Sequence, residues 1–409
     1  MKKFIAITLG ILTAIGGFVD IGDLVANAET GARFKLSLAW VVLVGVLGII
    51  VYAEMAGRVA AMSKRPVFDL VRERLGPGFG FANLAASFFI NFLTLTAEIA
   101  GVAIAISLVS SVNYLLLLPV TGFLVWLVIW RMPFEWMERI FGLMGLALLV
   151  FAVTVWKIGP DWNHIFHQAL HPAVPSKETP FTYAYFGIAL FGAAMTPYEV
   201  FFFSSGGVEE KWTKSDLNLN RANVFVGFPL GAFLSLAIML GATLVLAPRH
   251  ISVDSLSQVA LPTAFEVGKV GLAVLILGIF AATFGAALET AMSAGYIVAQ
   301  FFGWTWGKFT KARHAARFHL VVLMSIVAGV LFGLSGVDPI KVTEYSIVLS
   351  AAALPLTYFP ILVIANDRDY MGDEVNGPIV NGLATIYLII ILLIAVATIP
   401  LMIITKAGA

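Results

Sequence analysis

The sequence predicts an all-α integral membrane protein of about eleven transmembrane helices, built as two five-helix repeats of opposite topology plus one extra helix. Three observations predict it. Of 409 residues, 60% are hydrophobic and only 12% charged, with a mean hydropathy of +0.95, a balance that soluble domains do not have. Apolar runs of the roughly 20 residues needed to cross the hydrocarbon recur along the whole chain. Two of those runs, the first and the sixth, are interrupted, as the paired discontinuous helices of inverted-repeat transporters are.

The runs cover about residues 4–30, 37–62, 81–110, 114–130, 137–156, 181–205, 222–247, 270–302, 320–334, 342–364 and 379–404. Short connecting segments leave a single transmembrane domain, with repeat one at about 4–157, repeat two at about 181–364 and the extra helix at about 378–404. Lys2 and Lys3 ahead of an apolar run, with Ala26-Asn27-Ala28 beyond it, imitate a cleavable signal. Two acids before that point and ten further spans argue against cleavage. With the N-terminus inside, 17 of the 25 Lys and Arg residues fall in cytoplasmic segments and 8 outside, the bias expected of short loops. Eleven spans then place the C-terminus outside, in a multi-pass protein of the cell membrane.

The first interruption is Asp20-Ile21-Gly22-Asp23. An ionised Asp at the centre of a spanning helix costs about 2.5–3.5 kcal/mol on insertion scales, so two require a partner, water or a cation. A cation site is the simplest compensation. The second interruption reads Gly192-Ala193-Ala194-Met195-Thr196-Pro197-Tyr198-Glu199. Proline has no N–H, so the carbonyl of Ala193, four residues earlier, loses its helical partner. A freed carbonyl at the end of a half-helix is available to a cation.

These residues resemble the natural resistance-associated macrophage protein (Nramp) family of divalent-metal transporters. That family carries D-P-G-N in the break of its first helix, where this chain has D-I-G-D, and A-x-x-M-P-H in its sixth, where residues 193–198 read A-A-M-T-P-Y. D-L-V-R-E-R at 69–74, A-E-I-A-G at 97–101 and M-G-D-E-V-N at 371–376 extend the resemblance over nearly the whole chain. It implies a LeuT-type inverted repeat, alternating access and a metal site formed by Asp20, Asp23, Ala193 and Thr196, with Gly22, Pro197, Tyr198, Glu199 and Glu98 at the break or on the permeation path.

Two departures bear on the ion. Asp23 replaces the family's neutral Asn, and Thr196 replaces its thioether ligand. Sulfur favours softer metals, whereas added oxygen suits a small hard cation such as Mg²⁺, which accepts carboxylates and keeps several waters. The chain is thus most similar to the magnesium-transporting branch, with Mn²⁺ as a second substrate. Tyr198 and Phe203 stand where the family has histidines, and Leu95 replaces an acid one turn before Glu98. Neither Tyr nor Phe titrates near neutral pH as His does, so uptake is expected to be uncoupled from protons. The alternative is a proton-coupled Mn²⁺/Fe²⁺ symporter.

Glu199 is expected on the permeation path or in a wet vestibule, and Glu98 and Glu289 face the bundle interior in packing or gating roles. Glu54 and Arg58, four apart, make a helix ion pair. His164, His167 and His171 stand at spacings that could share a helical face as a metal-capture patch, but they read rather as a wet external loop, because Pro172 and Pro175 break any helix there. The Phe201–Phe203 run reads as packing or lipid contact. Lacking cysteine, the chain has no disulfide or thiolate metal site. No nucleophile elbow, phosphate loop or nucleic-acid footprint is present, so an enzyme is not expected. An intramembrane protease would carry its two acids on different helices, and an organic-substrate transporter would put small residues in the first break. The expected partners are the ion and the bilayer, with no resident cofactor and no obligate protein partner.

Overall fold

The computed structural model describes residues 18–408. The first half of the first span, about residues 4–17, lies outside the described residues. Its second half is α1 (Ile21–Phe34), followed by α2 (Ala39–Ser63), a short α3 (Val67–Leu75) and the long α4 (Pro77–Ser110). Then come α5 (Tyr114–Arg131) and α6 (Phe134–Gly145), the latter continued through a 3₁₀ turn, Leu146–Leu149, into α7 (Val150–Ile158). After the short α8 (Trp162–Leu170), the sixth span divides into α9 (Pro180–Ala194) and α10 (Pro197–Glu209). The remainder comprises α11 (Leu217–Val245), short α12 (Leu256–Val259) and α13 (Leu261–Glu266), α14 (Lys269–Phe302), α15 (Ala316–Leu334), α16 (Pro339–Ala365), the turn α17 (Arg368–Met371) and α18 (Pro378–Ile404).

Ten segments among the described residues are long and apolar enough to cross a membrane, and they match the second to eleventh expected spans. Boundaries moved by a few residues, as helix ends do. The ninth span starts at Ala316 rather than 320, and the seventh at Leu217 rather than 222.

One expectation is corrected. Pro172 and Pro175 do not prevent a helix at the histidines: α8 spans Trp162–Leu170 and stops just before them. The Asp161 side chain starts it by accepting from the N–H groups of Asn163 and His164, and a proline beyond a C-terminus ends a helix without opposing the turns before it. His167 and His171 stack at 4.2 Å, and among the described residues no three His, Asp or Glu side chains gather as a metal-binding group.

α1 packs on α11, α9 and α16, while α10 packs on α2 and α14. Small residues permit the close approaches. A Cβ on Gly31 would stand 2.3 Å from the carbonyl oxygen of Met239 in α11, and one on Gly192 would stand 2.4 Å from that of Ile347 in α16. The extra helix α18 lies outermost against α16 and α2, tied to α2 by two hydroxyls. Tyr52 donates to the carbonyl of Ala384 at 2.8 Å, and Tyr387 donates to that of Val44 at 3.0 Å.

Candidate functional site

Asp20 begins α1 from outside it. Its backbone is extended (φ −91°, ψ −177°), and its Oδ1 accepts the N–H of Asp23 at 2.8 Å, an N-cap of the kind Asp favours. One of the two acids in the break therefore organises the helix end that carries the other. The N–H of Ile21, a further orphan of the first turn, donates to Oε1 of Glu98 in α4 at 3.0 Å. Glu98 is fully buried, and its partner is the break itself. A Cβ on Gly22 would come within 2.8 Å of Ile347 Cγ2 and 3.0 Å of Asp20 Oδ1. Only glycine fits between the capping carboxylate and α16.

In the sixth span, α9 ends at Ala194, and Met195 (φ −122°, ψ 53°) and Thr196 (φ −66°, ψ 125°) leave helical geometry before Pro197 opens α10. Proline is suited to that first position, where its missing N–H costs nothing. The Met195 carbonyl freed by the break accepts the hydroxyl of Tyr358 in α16 at 3.1 Å. Ala193, whose carbonyl proline deprives of a helical partner, is buried in the last turn of α9. The Met195 sulfur packs towards α2, where a Cβ on Gly48 would meet it at 2.7 Å.

The two breaks meet. Tyr198 donates from its hydroxyl to Oδ2 of Asp20 at 3.2 Å, so both oxygens of that carboxylate are engaged. Asp23 faces α11: Oδ2 accepts from Ser235 at 2.5 Å, and Oδ1 accepts from Asn27 at 2.8 Å. Beside Asp20 is a small cavity with room for about one water, lined also by Gly22, Thr94, Thr196, Ser346 and Ser350. Every side-chain donor there is oxygen. Thr94 and Ser346 share a hydrogen bond of 2.7 Å.

Glu199 is buried, not solvated. Its Oε2 accepts from Thr196 at 3.4 Å, and its Oε1 has no partner among the described residues, nor has Oε2 of Glu98. Buried carboxylate oxygens without donors are costly, and two such atoms flank the break. Glu54 and Arg58 pair as expected, at 3.2 Å. Glu289 is half-buried in α14. Phe201 packs on Phe68 with ring centroids 5.0 Å apart, and Phe203 on Trp212 at 5.4 Å, which makes this run packing.

Of the residues expected at the site, the structure gathers Asp20, Gly22 and Thr196 around one cavity, with Tyr198 bonded to Asp20 and Glu199 to Thr196. Asp23 lies in the first turn of α1, just past the break, and is held by Ser235 of α11 and by Asn27. Ser235, Asn27, Thr94, Ser346 and Tyr358 were missed. Asn27 is readable as one turn after Asp23, whereas single hydroxyls in apolar spans carry no periodic signal.

The family model described as natural resistance-associated macrophage protein-like matches residues 10–400. The divalent metal cation transporter MntH of Chromohalobacter salexigens is 22% identical over 391 residues, covering 92% of this chain and 86% of that protein. The crystal structure of the manganese transporter of Eremococcus coleocola superposes with a TM-score of 0.71 at 18% identity, covering 97% of this chain and 86% of that one. A Na⁺-coupled sialic acid symporter in a substrate-bound outward-open state superposes with a TM-score of 0.61 at 11% identity, covering 96% and 89%. The common fold is the expected LeuT-type arrangement of broken helices one and six.

Proposed function

The chain belongs to the natural resistance-associated macrophage protein family, and from that membership we propose that it carries hydrated divalent metal ions, Mg²⁺ foremost and Mn²⁺ with it, into the cell by alternating access without a coupled proton. The observation that carries the choice of ion is that every side-chain donor lining the cavity beside Asp20 is an oxygen, while the Met195 sulfur packs towards α2. A hard cation that keeps several waters needs a few carboxylate and hydroxyl oxygens rather than a complete protein cage. Asp20, Asp23, Thr196 and the carbonyl of Ala193 would supply them, directly or through water. The cavity would have to widen as the ion enters, and Tyr198, Ser235 and Asn27 would release the carboxylate oxygens they now occupy.

Uncoupled transport is supported by what surrounds the site. Leu95 is fully buried among apolar residues, and Phe203 packs on Trp212, so neither position offers a proton carrier. The membrane potential alone can drive influx, since a divalent ion gains about 4.6 kcal/mol per 100 mV from roughly 2.3 per elementary charge. The N-terminus would lie in the cytoplasm and the C-terminus outside, in the orientation that keeps most basic residues inside.

Uptake by the purified protein in liposomes, with Mg²⁺, Mn²⁺, Ca²⁺ and Cd²⁺ compared, tests this reading. Saturable Mg²⁺ and Mn²⁺ influx with little Ca²⁺ is expected. Strong Cd²⁺ influx with no Mg²⁺ influx would replace it with a transition-metal importer.

A further inference from the structure

We propose that the cleft between α11 and α18, over the outer surface of α2, is a binding site for one aminophospholipid of the cytoplasmic leaflet. The cleft encloses about 650 Å³, within the range of cavities that hold discrete ligands. Its shaft is apolar, formed by Leu47, Ile50 and Val51 of α2, Phe225 of α11, and Val380 and Leu383 of α18. Leu47, Phe225 and Leu383 are each about half exposed, at 56%, 58% and 45%, so the shaft opens sideways to whatever surrounds these spans, which is acyl chain. From Leu47 to Arg58 along α2 is about 16 Å at 1.5 Å per residue. That is the depth of one leaflet of a hydrocarbon core about 30 Å thick.

Charge is confined to one end. Arg58 and Glu54 are buried and mutually paired, and Arg58 also donates to Asn376 Oδ1 at 2.6 Å and to the carbonyl of Glu374 at 2.5 Å. Two groups on this rim keep capacity for a ligand. Arg221 is half exposed and only loosely held, 3.5 Å from Glu54 Oε1, which leaves guanidinium donors for a phosphate. Glu374 receives Lys214 at 2.8 Å on one oxygen, and a carboxylate can accept further donors. An acidic and a basic group side by side at the mouth of an acyl-length shaft match a headgroup carrying both a phosphate and a primary ammonium. The shaft matches its tail. A purely anionic headgroup would leave Glu374 opposed to it, and a quaternary ammonium has no N–H to donate. The assignment to the cytoplasmic leaflet rests on the orientation proposed above. Lipid selectivity itself does not, so failure of the transport reading leaves the test intact.

The test is native mass spectrometry of the full-length protein titrated with phosphatidylethanolamine, phosphatidylglycerol or phosphatidylcholine of matched chains. One phosphatidylethanolamine should bind at least tenfold more tightly than either of the others. Arg221→Ala should lose most of that preference, and Leu383→Trp, which fills the shaft from its exposed wall, should lose the bound lipid. Lys269→Ala, an exposed basic residue at the start of α14, should change neither. Equal binding of all three headgroups, or wild-type binding in both Arg221→Ala and Leu383→Trp, would overturn the proposal and leave the cleft a nonselective apolar groove.

Discussion

The hydroxyl of Tyr198 donates to Oδ2 of Asp20 at 3.2 Å and so joins the two helix breaks, one in each repeat. A neutral donor on the sixth span thus stabilises the buried charge of the first. On the proposed reading, an ion taking that oxygen would break the bond and free the two half-helices to move relative to one another.

Tyr198→Phe removes this donor from a charged acceptor, and hydrogen bonds to charged groups are worth about 1.5–3 kcal/mol. The metal-free variant should therefore melt at lower temperature than the wild type. Saturating Mg²⁺ should close most of the gap, because an ion on Asp20 displaces the hydroxyl in the wild type, so that the bond no longer separates the two proteins once both are loaded. A gap in melting temperature that Mg²⁺ leaves unchanged would mean that Asp20 is not where the ion binds.

Asp20→Ala should abolish saturable uptake while the protein still inserts and elutes as a folded species, since a carboxylate is both proposed ligand and N-cap. Loss of the cap alone costs about 0.5–2 kcal/mol. Asp20→Ser, which keeps capping capacity, separates the two roles and should be as inactive as Asp20→Ala. Normal uptake by either would remove the proposed site.

Gly22→Ala should lower uptake at least tenfold, because its Cβ would press on Ile347 Cγ2 and Asp20 Oδ1 at 2.8 and 3.0 Å. Ile347→Ala clears the first of these contacts and should restore part of the activity in the double variant, a coupling that sites in contact display. Additive losses in initial rate would show that the glycine serves no packing purpose here.

Thr196→Met places a thioether where the cavity now has a hydroxyl. Preference in competition assays should move from Mg²⁺ towards Cd²⁺. An unchanged Mg²⁺ to Cd²⁺ ratio would dissociate Thr196 from selectivity.

Metal influx should carry no stoichiometric proton. Liposomes containing a pH dye, given Mg²⁺ or Mn²⁺ under an imposed negative potential, should show no metal-dependent acidification. Glu98→Gln should keep much of the transport, because an amide oxygen can still accept the N–H of Ile21, whereas Glu98→Leu orphans that N–H and should transport poorly. Acidification abolished by Glu98→Gln would show that a buried carboxylate couples protons after all.

By itself the sequence determined the class of structure and the location of the breaks. Runs of apolar residues must span a bilayer because hydrocarbon rewards nothing else. Two Asp residues and a mid-span Pro mark where helices cannot continue, since charge and a missing N–H are local properties. Asp20, Gly22, Thr196 and Tyr198 were legible for that reason. The tertiary structure decided which groups answer them. That Glu98 takes the N–H of Ile21, that Ser235 holds Asp23, and that Met195 packs towards Gly48 while Thr196 lines the cavity all depend on partners 77, 212 and roughly 150 residues away. Neither a lone Ser nor a lone Glu within an apolar span has a periodicity that names its partner. The helix at His164 and His167 escapes the sequence for the opposite reason, because it is local: the prolines beyond it only terminate a helix that their presence suggests is forbidden. Only the packing of α11 and α18 on α2 opened the cleft along residues 47–58, whose walls come from three separate stretches of chain.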